Sequence, residues 1–138
     1  MIHRWNHSWK ETIPYLEKAI IAGKKSGDLH FLSLSYFTLF RQQEENLELS
    51  CQEAEKVFSL LNSLGSDLNL SSAKLILQMR LALRCLTKTP LSLSDSVFDE
   101  EVWFKQVETQ DRILVTYYLQ KLRLYVILGA FQEGIFYI

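Results

Sequence analysis

Amphipathic segments alternate along this chain with segments that are apolar on nearly every side, and short polar breaks separate them. Three breaks bring in an acidic residue at the start of the next segment: Gly27-Asp28-Leu29, Gly65-Ser66-Asp67-Leu68 and Thr109-Gln110-Asp111-Arg112. Their aspartates stand 39 (67 − 28) and 44 (111 − 67) residues apart. A recurrence of that period is the mark of stacked helical hairpins.

The first segment, Thr12 to Lys25, sets Ile13, Leu16, Ala19, Ile20 and Gly23 on one face, with Glu17, Lys18, Lys24 and Lys25 largely opposite. Thr12 is its expected N-cap, Pro14 lies in the tolerant first turn, and Gly27 suits the left-handed residue that closes a helix. Asp28 should cap the second helix, Leu29 to Gln42, whose Leu and aromatic residues leave Ser33, Ser35 and Thr38 to face water. A helix apolar on most sides is expected inside. Ser50-Cys51-Gln52-Glu53 has the spacing of a capping box and opens a third, two-faced helix to Leu64.

The fourth helix starts at Leu68 or Ser71 and is expected to reach Leu86, with Leu75, Ile76, Met79, Leu83 and Leu86 as its core stripe. Thr87 to Ser96, with Pro90 and several Ser and Thr, reads as the longest loop. Asp99, Glu100 and Glu101 then open a short helix through Val107, their charges complementing its dipole. In the last full helix, Asp111 to Leu128, polarity is confined to Arg112, Thr116, Gln120 and Arg123, with Lys121 beside them. Ala130 to Ile138 opens a further element and leaves Phe131, Ile135, Phe136 and Ile138 in want of a cover.

The predicted fold is all-α: stacked antiparallel helical hairpins in a TPR-like superhelix, about six helices plus a partial seventh, as one domain over 1–138. The abrupt end suggests a fragment or truncated relative of a longer array.

Composition narrows the function. With 48% hydrophobic residues and a formal charge of −1, the chain lacks the excess of Lys and Arg that gives general affinity for nucleic acid. Its most apolar stretch, Ile113 to Leu128, is broken by Gln120, Lys121 and Arg123, short of the ~20 apolar residues a bilayer span needs. The start carries no signal-peptide pattern, and a cytoplasmic protein is expected. Cys51 and Cys85 lack metal or redox spacing and are expected to be buried, reduced thiols.

Few residues suggest chemistry. His3 and His7 have helical metal-ligand spacing but no third ligand near them, and His30 beside Asp28 reads as an ordinary helix residue. Glu44-Glu45 and Asp99-Glu100-Glu101 are adjacent carboxylates that point apart on a helix. No phosphate loop, nucleophile elbow or zinc-protease motif occurs. No catalytic, cofactor-binding or metal-ligating residue is therefore assigned, and the chain is read as no enzyme. The row Arg80, Arg84, Lys88 is a candidate surface for an acidic partner segment, and the tail residues Phe131, Ile135, Phe136 and Ile138 are a candidate dimer surface. Tyr36, Tyr117 and Tyr125 support an alternative, a sensory domain that takes a small molecule between its layers.

Trp9, then Ile13-Pro14-Tyr15-Leu16-Glu17-Lys18-Ala19 leading to Gly23 and Gly27-Asp28-Leu29, resembles the start of one helical region. That region belongs to large bacterial signalling proteins, common in cyanobacteria, that join a serine/threonine kinase, a predicted AAA-type ATPase and often a GAF domain with a sensor histidine kinase. Phe98-Asp99-Glu100-Glu101, and Asp111-Arg112 followed by Tyr117-Tyr118-Leu119, Lys121-Leu122 and Gly129, are similar to its later parts. The resemblance covers nearly the whole chain. It implies a non-catalytic connector or interaction module whose partners are proteins or neighbouring domains of a signalling protein, with kinase and ATPase chemistry carried elsewhere.

Overall fold

The computed structural model describes residues 9–42 and 46–135. Among them lie α1 (Ile13–Ser26), α2 (Leu29–Gln42), α3 (Leu47–Ser63), α4 (Asp67–Leu83), α5 (Glu100–Val107), α6 (Asp111–Ile127) and α7 (Phe131–Gly134). A single 3-10 turn, Trp9–Thr12, precedes α1, and no strand occurs among the described residues. The chain is all-α, built of helical hairpins, and its described residues form six helices and a short seventh. It forms two compact units, Met1–Ala73 and Lys74–Ile138, whose boundary falls within α4.

In the first unit the turn Gly27-Asp28 folds α2 back on α1, and α3 packs on α2. Asp28 caps α2 as expected, its Oδ1 accepting from Phe31 N at 3.1 Å. Thr12 does not cap α1. Its hydroxyl instead donates to Gln42 Oε1 at 3.0 Å, tying the start of α1 to the end of α2. α3 begins four residues before Cys51, because Asn46 accepts from Leu49 N at 3.0 Å and caps it there. The expected Ser50 cap is therefore interior to the helix; its Oγ is buried and finds no hydrogen-bond partner among the described residues.

α2 also corrects the expectation that its apolar bulk lies inside and its serines outside. Ser33 and Ser35 are buried, their hydroxyls donating to His30 O and Phe31 O at 2.8 Å each, while Ser33 Oγ accepts from Asn69 Nδ2 at 3.2 Å. Leu29, Phe31 and Leu34 are exposed. Small serines that satisfy themselves on their own helix allow a neighbour close, and the larger side chains then point away.

The core of the second unit joins Leu75, Met79 and Ala82 of α4 with Leu93 of the following loop, Val107 of α5 and Ile113, Tyr117 and Leu124 of α6. Each such side chain contributes roughly 1.5–3 kcal/mol on burial. α7 closes the described chain by packing on α6.

The ends of α3, α6 and α4 follow one device. Ser66 N and Gly65 N reach back to Leu61 O and Asn62 O, and Ala130 N and Gly129 N reach back to Tyr125 O and Val126 O, with both glycines at positive φ. These paired bonds define the Schellman stop. α4 ends the same way three residues before the expected Leu86: Leu86 N bonds Leu81 O and Cys85 N bonds Ala82 O. The left-handed residue there is Cys85, at φ 58°. Contrary to the reading of two buried thiols, Cys85 is exposed and Cys51 half-buried, and both are free.

A β-carbon in that conformation is strained, and an exposed side chain loses little packing on removal. Cys85→Gly should raise stability by about 0.5–1 kcal/mol, read as a higher denaturant midpoint at unchanged slope, while the β-branched Cys85→Val should lower it.

Candidate functional site

Three local caps shape the segment between α4 and α6. Asp95 Oδ1 accepts from Val97 N and Phe98 N at 2.7 Å each, and Asp95 N donates to Phe98 O at 2.9 Å, closing a tight turn. Asp99 caps α5, its Oδ1 accepting from Glu101 N and Val102 N at 3.1 Å each. Ser94 Oγ accepts from Glu100 N at 2.9 Å, and Ser92 Oγ from Ser94 N at 3.0 Å. The loop read from its Ser, Thr and Pro content is thus internally wired, and it inserts Leu93 into the core.

Those caps deliver Glu100 to the inside. Glu100 Oε1 lies 2.9 Å from Lys121 Nζ and accepts from Tyr117 Oη at 2.8 Å. Glu100 Oε2 accepts from Leu93 N at 2.8 Å and from Ser92 Oγ at 3.5 Å. Lys121 Nζ also donates to Leu91 O at 2.7 Å and lies 5.5 Å from the centroid of the Tyr125 ring. Both charged side chains are almost wholly withdrawn from water. One carboxylate and one ammonium therefore join the loop, α5 and α6.

Aromatic rings surround this pair. Tyr117 packs against Trp103, Phe104 and Tyr118 with centroids 5.8, 5.3 and 5.3 Å apart. An open cleft of about 540 Å³ lies beside them, lined by Glu100, Glu101, Phe104, Lys105, Tyr117, Tyr118 and Lys121. Its volume suits a small molecule. Its inner polar atoms, however, already bond one another, and nothing in it pairs a nucleophile with a base. The arrangement holds the loop against α6.

Lys121 turns inward on α6, and Gln120 with it, while Arg112 stays exposed. Gln120 is 5% exposed and Lys121 4%, while Val115, Leu119 and Val126 on the opposite side are 58%, 53% and 52% exposed. Composition alone could not orient a helix so rich in apolar residues. A signal was present in the spacing Ile113, Tyr117, Gln120, Leu124, a helical stripe that has Lys121 next to it.

The other candidates fare unequally. Arg80 is fully buried, α4 ends at Leu83, Arg84 is half-buried, and exposed Lys88 sits in the loop with its Nζ 3.6 Å from Asp99 Oδ2. Arg80, Arg84 and Lys88 thus form no continuous helical row. Phe131 and Ile135 are exposed as expected, whereas Phe136 and Ile138, like His3, His7 and Glu44-Glu45, fall outside the described residues. Tyr117 lines the cleft, but Tyr36 and Tyr125 do not. Among the described residues no group of three or more His, Cys, Asp or Glu is placed to hold a metal ion, and no helix is long and apolar enough to cross a membrane.

Removing one partner of the pair strands the other charge. Lys121→Met should cost about 3–5 kcal/mol in denaturant unfolding, and adding Glu100→Gln should restore much of it, because an uncharged pair needs no compensation.

The two loop aspartates give an acid response. Burial pushes the Asp95 carboxyl up, but the N–H groups of Phe98 and Val97, the Gln78 side chain and Lys88 outweigh it and hold the group below its usual value. The Val102 N–H, with Lys88 and the Glu101 N–H, holds Asp99 below its usual value as well. Folded groups that release protons more readily than unfolded ones stabilise fully above the unfolded pKa, roughly 3.9, and lose that contribution as pH falls through their lower folded values. Amide exchange at Val97, Phe98, Glu101 and Val102 should accelerate below about pH 4, and Asp95→Asn should remove the pH dependence at Val97 and Phe98.

No protein-family model, no curated protein and no solved structure matches this chain, so the reading of its site rests on its own geometry.

Proposed function

We propose that this chain is a non-catalytic helical interaction module, a connector in bacterial ATPase/kinase signal transduction that works by presenting an apolar helix face to a protein partner. The observation that carries the reading is α6: Gln120 and Lys121 turn inward while Val115, Leu119 and Val126, with half-buried Leu122 between them, form an outward apolar ridge. Contiguous apolar surface of this kind on a soluble chain marks a place where something binds. Phe131 on α7, which packs on α6, and Ile135 just after it add two more exposed apolar side chains. The signalling context comes from the resemblance carried by Trp9 to Leu29 and Asp111 to Gly129. Free Cys51 and Cys85 accord with a reducing, cytoplasmic setting, and a formal charge of −1 with a protein rather than a nucleic-acid partner.

The cleft beside Tyr117 favours a second reading, a sensory domain for a small molecule. It is the weaker one, because Glu100, Tyr117 and Lys121 already bond each other or the backbone within the chain.

The pair Leu119→Asp and Val126→Asp tests the ridge. If it is a free binding face, the double variant should unfold within about 0.5 kcal/mol of the parent per site and bind less of a hydrophobic fluorescent dye. A loss of several kcal/mol would mean that these side chains are buried in the folded chain in solution, and the proposal would fail.

A further inference from the structure

The cleft beside the Glu100–Lys121 pair is lined by two sets of polar groups. In the first, the Glu100 carboxylate, the Lys121 ammonium and the Tyr117 hydroxyl bond one another and the loop. In the second, α5 presents Glu101 and Lys105 to the cleft, one helical turn apart with Phe104 beside them. Both are exposed and stand in the order that favours an ion pair along a helix. Yet among the described residues neither side chain makes an ion pair or a hydrogen bond. The rings of Phe104, Tyr117 and Tyr118 line the same cleft, inclined to one another by 58°, 60° and 63°, so no two of these three stack face to face.

We infer that this cleft binds a free aromatic α-amino acid, with its ammonium on Glu101, its carboxylate on Lys105 and its ring against Phe104 and Tyr118. The assignment deepens, and rests on, the second reading of the cleft as a small-molecule site. Charge selects the class. Two carboxylates and two ammonium groups line the cleft, so neither a simple cation nor a simple anion is drawn to it by net charge. A zwitterion answers both signs at once: its two charged groups share one carbon and fit between side chains set about 6 Å apart along a helix axis. Rings that meet edge to face leave faces for another ring to pack on, a contact that an aliphatic side chain does not match.

The bonded groups then have a part in binding without touching the ligand. Glu100 of α5 and Lys121 of α6, 2.9 Å apart, fix the two walls of the cleft relative to each other. A preformed site spends less on ordering when it is filled. A phosphorylated ligand fits worse, because Lys105 is the one lining cation not already held by a carboxylate among the described residues.

The test titrates the full chain with five compounds and follows the amide shifts of Glu101, Lys105 and Tyr118. L-tryptophan carries ring, ammonium and carboxylate; tryptamine lacks the carboxylate, indolepropionate the ammonium, indole both, and L-leucine the ring. Two exposed ion pairs should make tryptophan bind about fivefold more tightly than indole, with tryptamine and indolepropionate between them and leucine weaker than tryptophan. Glu101→Gln should abolish the advantage of tryptophan over indolepropionate, and Lys105→Gln its advantage over tryptamine. Both positions are exposed, so the spectrum of the folded chain should persist in these variants. Tyr118→Ala should weaken all four ring compounds about threefold or more. Indole or leucine binding as tightly as tryptophan would overturn the zwitterion or the ring, respectively, and leave a small-molecule site standing. Tightest binding of tryptamine or of indolepropionate would overturn the inference in favour of a cation or an anion. No shift with any of the five would overturn it as well, and if a wider set of uncharged small molecules also leaves these amides unmoved, the second reading falls with it.

Discussion

The buried contact between Glu100 and Lys121 determines how the second half of this chain is arranged. Withdrawing two charges from water costs several kcal/mol for each, and only close attraction with full hydrogen bonding offsets it. Both conditions are met: Glu100 takes bonds from Lys121, Tyr117 and the Leu93 amide, and Lys121 also reaches the Leu91 carbonyl. Hydrophobic burial is non-directional and would tolerate several placements of a loop rich in Leu and Ser. The ion pair tolerates few. It holds Leu91 and Leu93 against α6 and so puts Leu93 in the core.

The same contact sets the rotation of α6. A helix has one angle to choose, and turning Tyr117 and Lys121 toward Glu100 turns Val115, Leu119 and Val126 away. The apolar ridge is thus the geometric counterpart of the buried charge. α2 shows a related exchange with a different cause: Ser33 and Ser35 pack inward because they are small and bond their own backbone, and Phe31 and Leu34 face out. In both helices an apolar surplus is packed on one side and left open on the other.

This division explains what could be read from the chain. Signals contained within a few residues were legible: Asp28 as a cap, Asp99 at the start of a helix, and Gly27 as a left-handed helix end. Where two local signals compete, the pattern misleads. Asn46 starts α3 although Ser50 and Glu53 have capping-box spacing, and α4 stops at a left-handed Cys85 where no glycine announces it. The rotation of α6 left only a faint signal, the spacing Ile113, Tyr117, Gln120, Leu124, because Ile, Leu, Val and Tyr occur on all its sides and leave little amphipathic direction. What decides the angle is one carboxylate in another helix. Glu100 itself looked like a first-turn acid serving the dipole of α5, and its side chain serves the core instead.

The inward and outward faces of α6 also bear on what kind of protein this is. The carboxylate, the ammonium and the phenol nearest the cleft bond each other, the loop and its backbone. Their free energy goes into fixing structure. What remains unsatisfied among the described residues is chiefly apolar surface, and apolar surface drives association without specifying a reaction. Specificity must then come from the groups bordering that surface.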